Sequence, residues 1–341
     1  MKKFDEFSEK LTEEEYRNNG RFHYSDISGY MRNGFSYLVR PEKEESESLT
    51  FGSLVDCILT QGMDVFNERY CIEADFPLSD NQKTVTNNLI QFGYGTIGEI
   101  PRQTILDIVN EANLYKNYKD DTKIDKIVNE CGGYYRFLVE NAGKIPVEYE
   151  MCQDAIDVSN AVISSPSGVF FEPPVKGVDL FHQLIFNGEI DGIPVTCMVD
   201  SLYVDHTKKR ITIVDLKSTC ANYEWEFARS FMKYNYHLQA RLYSTIIRQI
   251  MDSDPDYKDY ELTGFIFVYV SRKNKTPIPW IFKENLVQGD IVIENEDGTK
   301  TMLRDFRKPL HEMNEAKTQN LTIPMGISQT KTNDVLEHLK R

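Results

Sequence analysis

The sequence predicts an α/β fold with one central mixed β-sheet flanked by helices and a helix-rich N-terminal third. Three observations predict it. Strand-like runs at 179–186, 195–204 and 211–217 follow one another closely, with the polar turn His206-Thr207-Lys208-Lys209-Arg210 between the last two. Two helical stretches, 224–232 and 236–251, then lead to the nearly continuous apolar run Phe265-Ile266-Phe267-Val268-Tyr269-Val270, the composition of a strand buried on both faces. Ahead of the strands, residues 81–165 carry helical patterns broken by loops near 93–98, 116–122 and 143–146.

Taken in order, residues 4–18 form a charged amphipathic stretch, and Ser25 or Asp26 is placed to cap a helix running through 30–38. Residues 41–48 read as an acidic linker. Residues 49–59 read as an apolar helix, with Gly52 and Asp56 one turn apart on one face. A short strand is expected over 69–74. Pro173-Pro174 closes the helical part before the strands begin. Beyond the apolar strand the pattern gives a weaker strand at 279–282, a long charged helix at 301–320, and a tail at 331–341 that is either a docked helix or frayed. No break in composition divides the chain. It reads as one domain over 1–341: a helical part of about 1–165, a sheet core of about 175–285 and a C-terminal helical segment of about 300–341.

The bulk composition removes several classes of function. With 40% apolar and 27% charged residues, the chain has the make-up of a soluble globular protein. No apolar run is long enough to cross a bilayer, and the first residues lack the apolar core of a secretory signal, so a cytoplasmic protein with no membrane partner is expected. The six cysteines are scattered with no CxxC spacing, which argues against a zinc ribbon or an iron–sulfur cluster. A net charge of −14 argues against broad electrostatic binding to nucleic acid over the whole surface. It suits a carboxylate-lined site whose cation brings its own positive charge.

The chemistry concentrates between 199 and 243. Asp200 and Asp215 are carboxylates within apolar, strand-like runs. Lys217 lies two residues after Asp215, on the same face of the strand. Buried charges of this kind are costly without compensation, and a divalent cation carrying a phosphate would compensate them. Phosphodiester hydrolysis needs an activated water, a clamp for the charge of the transition state and help for the leaving oxygen. One or two Mg²⁺ (or Mn²⁺) ions held by carboxylates supply the first two. Lys217 can orient the water, deprotonate it, or stabilise the developing charge. A lone Asp-x-Lys is more often a plain ion pair at a strand end. Here the preceding Asp200 shifts the balance.

Gln239 and Tyr243 stand four apart on a helix and share a face. They can hold a phosphate or a base edge, or steady the lysine, although such a pair alone is usually a packing feature. Asp56 is a lone carboxylate on an otherwise apolar helix. It is equally a metal ligand or a rim residue facing solvent.

In its order of motifs the chain resembles the RecB-like PD-(D/E)xK nucleases, and within them the RecE-type exodeoxyribonucleases of phages and prophages. The matching segments are Tyr24-Ser25-Asp26-Ile27-Ser28, Phe51-Gly52-Ser53-Leu54-Val55-Asp56, residues 155–166, Val199-Asp200, Ile213-Val214-Asp215-Leu216-Lys217-Ser218-Thr219 and His237-Leu238-Gln239-Ala240-Arg241-Leu242-Tyr243. The resemblance implies a restriction-endonuclease-like core. It also implies a metal-dependent nuclease acting on DNA from a duplex end, often as a ring-shaped homo-oligomer, with a single-strand annealing protein as partner. Carried over by position, Asp200 and Asp215 hold the metal, the Leu216 carbonyl completes its site, and Lys217 acts on the water. Gln239 and Tyr243 support the lysine and the substrate, and Ser218 is a further substrate-binding candidate. Asp56 stands where the family usually has histidine, so its place as a metal ligand stays open, although aspartate suits Mg²⁺ at least as well. An endonuclease of the same fold and a catalytically silent DNA-binding module are the alternatives.

Overall fold

The computed structural model describes residues 3–34, 37, 46–219, 223–294 and 298–318. The chain divides into two compact units, one made of 1–62 with 154–341 and the other of 63–153.

The larger unit opens with α1 (Glu13–Arg17), α2 (Tyr24–Asn33) and α3 (Glu47–Thr60). The amphipathic stretch expected over 4–18 is not one helix. Phe4–Glu6 is a single 3₁₀ turn, and the Glu9 N–H is donated to the Ile185 carbonyl at 2.9 Å. Phe4 is fully buried against the rings of Phe186 and Tyr257, which fixes the chain along a strand edge before a helix can form. Thr12 starts α1 afresh: its hydroxyl accepts the Glu15 N–H, and Glu15 accepts the Thr12 N–H. The helix expected through 30–38 starts earlier, at Tyr24, and ends at Asn33, followed by Gly34 with φ of +59°. Of the expected linker, 41–45 lie outside the described residues, and Ser46 caps α3 by accepting the Leu49 N–H.

The smaller unit is mostly helical. It holds α4 (Gly62–Arg69), β1 (Tyr70–Ile72), α5 (Asp80–Ile90), α6 (Arg102–Glu111), α7 (Asp120–Glu140) and β2 (Ile145–Val147), with α8 (Tyr149–Ile163) crossing its boundary. β1 and β2 pair in parallel, and Val85, Leu89, Ile105, Val109, Ile124 and Ile127 form a core of its own.

The remaining elements build the sheet of the larger unit. They are β3 (Val178–Ile190), β4 (Ile193–Asp205), β5 (Arg210–Thr219), α9 (Glu224–Lys233), α10 (Tyr236–Ser253), β6 (Glu261–Leu262), β7 (Phe265–Ser271), β8 (Pro277–Phe282), β9 (Ile291–Glu294), β10 (Lys300–Leu303) and α11 (Arg307–Thr318). The strand order is β3-β4-β5-β7-β8, with β6 also on β5. β5 runs parallel to β6 and β7, and the other neighbours are antiparallel. The parallel step needs a crossover, which α9 and α10 supply. α10 packs on β3 and β4, while α3 packs on β4 and β5.

The charged helix expected over 301–320 is shorter. Residues 300–303 pair with β9 as a hairpin, and Leu303 is fully buried. α11 begins only after Asp305, which accepts the N–H groups of Arg307 and Gly289. Its expected end and the tail at 331–341 lie outside the described residues. Five described cysteines are free thiols, four of them buried. Among the described residues no helix is long and apolar enough to cross a membrane.

Candidate active site

The site lies where β4 parts from β5. Their ladder runs from Asp205 opposite Arg210 to Ser201 opposite Val214 and stops there. The next two positions are Asp200 and Asp215. Beyond this point β5 continues with β7 through Thr219. On the other side, the β3–β4 ladder leaves out Gln183, which faces Asp200 in register and has φ of +53°. A left-handed non-glycine residue inside a strand costs on the order of 1–3 kcal/mol and persists only when its surroundings hold it. The pleat is thus opened on both sides of Asp200. In the gap, Asp200 Oδ2 accepts the Leu216 N–H at 2.8 Å, and His182 Nδ1 lies 3.3 Å from the Asp200 carbonyl.

Strand alternation turns Asp215 and Lys217 to the face covered by α10. Lys217 Nζ is 2.7 Å from Asp215 Oδ2 and sits over the Tyr236 ring, 4.8 Å from its centroid. Gln239, one turn along from Tyr236, donates its amide N–H to Asp215 Oδ1. Beyond the Lys217 ion pair, Asp215 Oδ2 has no hydrogen bond of good geometry among the described residues. Gln239 Oε1 is likewise buried with no hydrogen-bond partner among the described residues.

Asp56 reaches the opening from α3. Both its oxygens accept from Gln183 Nε2, at 3.0 and 2.9 Å. Gly52, one turn earlier, lets α3 close on β5, since a Cβ there would stand 3.3 Å from Ser218 Oγ. Ser218 therefore faces α3, on the side of β5 opposite Lys217. Tyr243 is buried in the core, edge-on to Phe265. The structure thus brings Asp200, Asp215, Lys217 and Gln239 together, sets Asp56 beside them, leaves Tyr243 in the core within range of the charges of Asp215 and Asp200, and turns Ser218 to the opposite side of β5.

Two residues that the motifs did not single out complete the arrangement. Tyr236 seats the lysine, and its spacing three before Gln239 is the signal that could have found it. Gln183 holds Asp56, and nothing local in the sequence marks it. Arg241 is structural: it is fully buried, donates to the carbonyls of Val287 and Gly289, and pairs with Asp305 at 2.7 Å.

The electrostatics follow from burial. Burial and then the charges of Asp215 and Asp56 raise the Asp200 pKa well above the ordinary carboxylate range, against Lys217 and the Leu216 N–H. Burial also raises Asp215, opposed by Lys217 and Gln239. Burial pulls the Lys217 ammonium down, but Asp215, Tyr236 and Asp200 outweigh it and hold the pKa above the usual lysine value. In the metal-free protein, the ammonium is thus the cation that compensates Asp215.

Among the described residues no three His, Cys, Asp or Glu side chains already stand in a metal-binding arrangement. The donors nevertheless suit a hard cation. Buried Asp215 and half-buried Asp200 repel each other on parting strands, and among the described residues Asp215 Oδ2 is met by Lys217 and by no other group.

A family model described as a PDDEXK-like domain of unknown function (DUF3799) matches residues 171–283, the segment from the start of the sheet to β8. The chain is thus an α/β protein with a PDDEXK-like core, its central mixed sheet flanked by helices. No curated protein matches it. A crystal structure from Eubacterium rectale named "Putative exonuclease" aligns over 92% of this chain and 88% of its own, at 15% identity and a TM-score of 0.42, a likeness too loose to define fold or activity.

Proposed function

We propose that the chain is a divalent-metal-dependent DNA exonuclease that hydrolyses phosphodiester bonds from duplex ends. The observation that carries this reading is the cluster of Asp200, Asp215 and Lys217 at the point where β4 leaves β5. Asp200, Asp215 and the Leu216 carbonyl would hold Mg²⁺ or Mn²⁺, with Asp56 as a further carboxylate at the rim. When bound, the cation supplies charge neutralisation and Lewis acidity at the phosphate.

The chain's own groups do the rest. Lys217, held as an ammonium against Tyr236, orients the attacking water by donating to it and stabilises the charge that develops on the phosphate. Gln239 fixes the Asp215 carboxylate through its amide N–H. In-line attack by water leaves 5′-phosphorylated products. The RecE-type likeness adds a recombination role in phage DNA processing, a single-strand annealing protein as partner and a ring-shaped homo-oligomer.

The test is time-resolved digestion of linear and covalently closed duplex DNA with Mg²⁺ or Mn²⁺, with Lys217→Ala alongside. Loss of linear DNA alone, slowed about 100-fold or more by the substitution, is expected. Cutting of closed circles would make the protein an endonuclease. No cleavage of either substrate would favour a silent DNA-binding module, for which Gln183 binding both oxygens of Asp56 already speaks.

A further inference from the structure

A row of rings and cations, exposed at its outer end and half-buried at Tyr234 and Tyr236, leads along α9 to the lysine of the site. At its outer end Tyr223 and Trp225 are 62% and 56% exposed and stack with their planes 10° apart. The Arg229 guanidinium lies over the Trp225 ring at 5.6 Å. One turn on, Lys233 Nζ lies 5.1 Å over the Tyr234 ring, and Arg32 from α2 lies over the same ring at 5.5 Å. Tyr234 stacks on Tyr236, with centroids 5.8 Å apart, and Tyr236 carries Lys217.

Residues 225, 229 and 233 recur every four positions, so they share one face of α9, about 12 Å long from the helical rise. The opposite face, Phe227 and Phe231, is buried and accounts for the packing of the helix. The outer face is therefore not needed for the core. The described partners of Arg229 and Lys233 are rings rather than carboxylates. In a chain of net charge −14, such a cationic strip suits an anionic polymer. Stacked, solvent-facing rings suit unpaired bases, whose faces are hidden in a duplex.

We propose that this strip is a binding site for single-stranded DNA. Bases stack on the Tyr223–Trp225 platform, while Arg229, Lys233 and Arg32 take successive backbone phosphates. The strand runs along α9 toward Lys217. That direction rests on the nuclease reading, but the binding itself can be measured without cleavage.

The chain has two tryptophans, Trp225 and Trp280. In a Trp280→Phe variant kept in EDTA, Trp225 fluorescence reports the platform directly. Titration with a short oligothymidylate is expected to quench it. Trp225→Ala with Arg229→Ala, followed by fluorescence anisotropy of the labelled oligonucleotide, should raise Kd roughly 10-fold or more. Trp225→Phe should retain most of the affinity, and loss of Arg229 should flatten the salt dependence by about one phosphate contact.

Unquenched Trp225, or an unchanged Kd in the double variant, would overturn the proposal. So would quenching of Trp225 by a blunt duplex or by oligouridylate as strong as that by oligothymidylate. If wild type cleaves nothing while Trp225 is still quenched, the nuclease reading fails and the strip stands. If cleavage requires Lys217 but the double variant binds normally, the strip fails and the nuclease reading stands.

Discussion

Asp200 Oδ2 accepts the Leu216 N–H at 2.8 Å, taking the place of the β4 carbonyl that a continuous ladder would offer. One carboxylate thus both ends the pairing of two strands and satisfies the backbone group left over. The same bond seats Asp200 next to Asp215.

The pH behaviour of the metal-free protein should follow from Asp200. Its folded-state pKa is raised, so the stability it contributes is present below the ordinary carboxylate range and is lost as pH rises through the shifted value. Thermal melts in EDTA should show the wild type losing ground to Asp200→Asn as pH rises from about 5 to about 8, a difference in which the titration of His237 cancels, with Mg²⁺ restoring more of the wild type at the higher pH. Asp200→Asn should raise the metal-free melting temperature, remove the Mg²⁺ gain and abolish cleavage. A Mg²⁺ gain unchanged in this variant would remove Asp200 from the metal site.

Gln239→Leu removes the amide that lowers the Asp215 pKa. The Asp215 carboxyl should then titrate higher still, and the acid limb of the pH–rate profile should move to higher pH. Stability should fall by about 1–3 kcal/mol, because a buried carboxylate oxygen loses its donor. An unmoved acid limb would mean that Asp215 does not set that limb.

Gln183 and Asp56 should behave as a unit. Gln183→Asn keeps a residue that tolerates the left-handed backbone but is too short to reach Asp56. Urea denaturation of Gln183→Asn, Asp56→Ala and the double variant should give a coupling of about 0.5–3 kcal/mol. Additive effects would show that the contact does not contribute. If Asp56 assists catalysis, both single variants should slow cleavage while leaving a folded protein.

His237 makes the fold sensitive to acid. Burial first, and then the charge of Arg241, depress its pKa to about 4, against an opposing backbone contact with Arg304. An imidazole with a depressed folded-state pKa takes up its proton preferentially in the unfolded chain. Stability is therefore lost as pH falls from about 6.5 toward about 4, by on the order of 3 kcal/mol in total. His237→Leu should flatten urea midpoints over this window. A slope unchanged in the variant would assign the acid sensitivity to other groups.

Local periodicity made much of the site legible. Alternation along the strand put Asp215 and Lys217 on one face, and helical spacing put Gln239 where it could meet them. The apolar runs marked β4, β5 and β7. Alternation also sets Ser218 on the face away from Lys217, and the structure puts it there, against Gly52 of α3.

What escaped the sequence depends on contacts between distant segments. The hairpin of β9 and β10 looked like the start of a helix, because residues 300–303 become a strand only when β9 lies beside them. The stretch at 4–18 lost its helix to the edge of β3 and to the rings around Phe4. Gln183 meets Asp56 across 127 positions, through a left-handed backbone that no local pattern encodes.

The sequence by itself determined β3, β4, β5 and β7, the helices α9 and α10 between them and the shared face of Asp215 and Lys217, because these depend on periods of two and 3.6 residues. Only the tertiary structure decided that β4 and β5 part at Asp200, that Lys217 rests on Tyr236, and that Arg241 is buried as a structural tie. Those outcomes depend on which surfaces meet once the sheet has formed and on how each buried polar group is then satisfied.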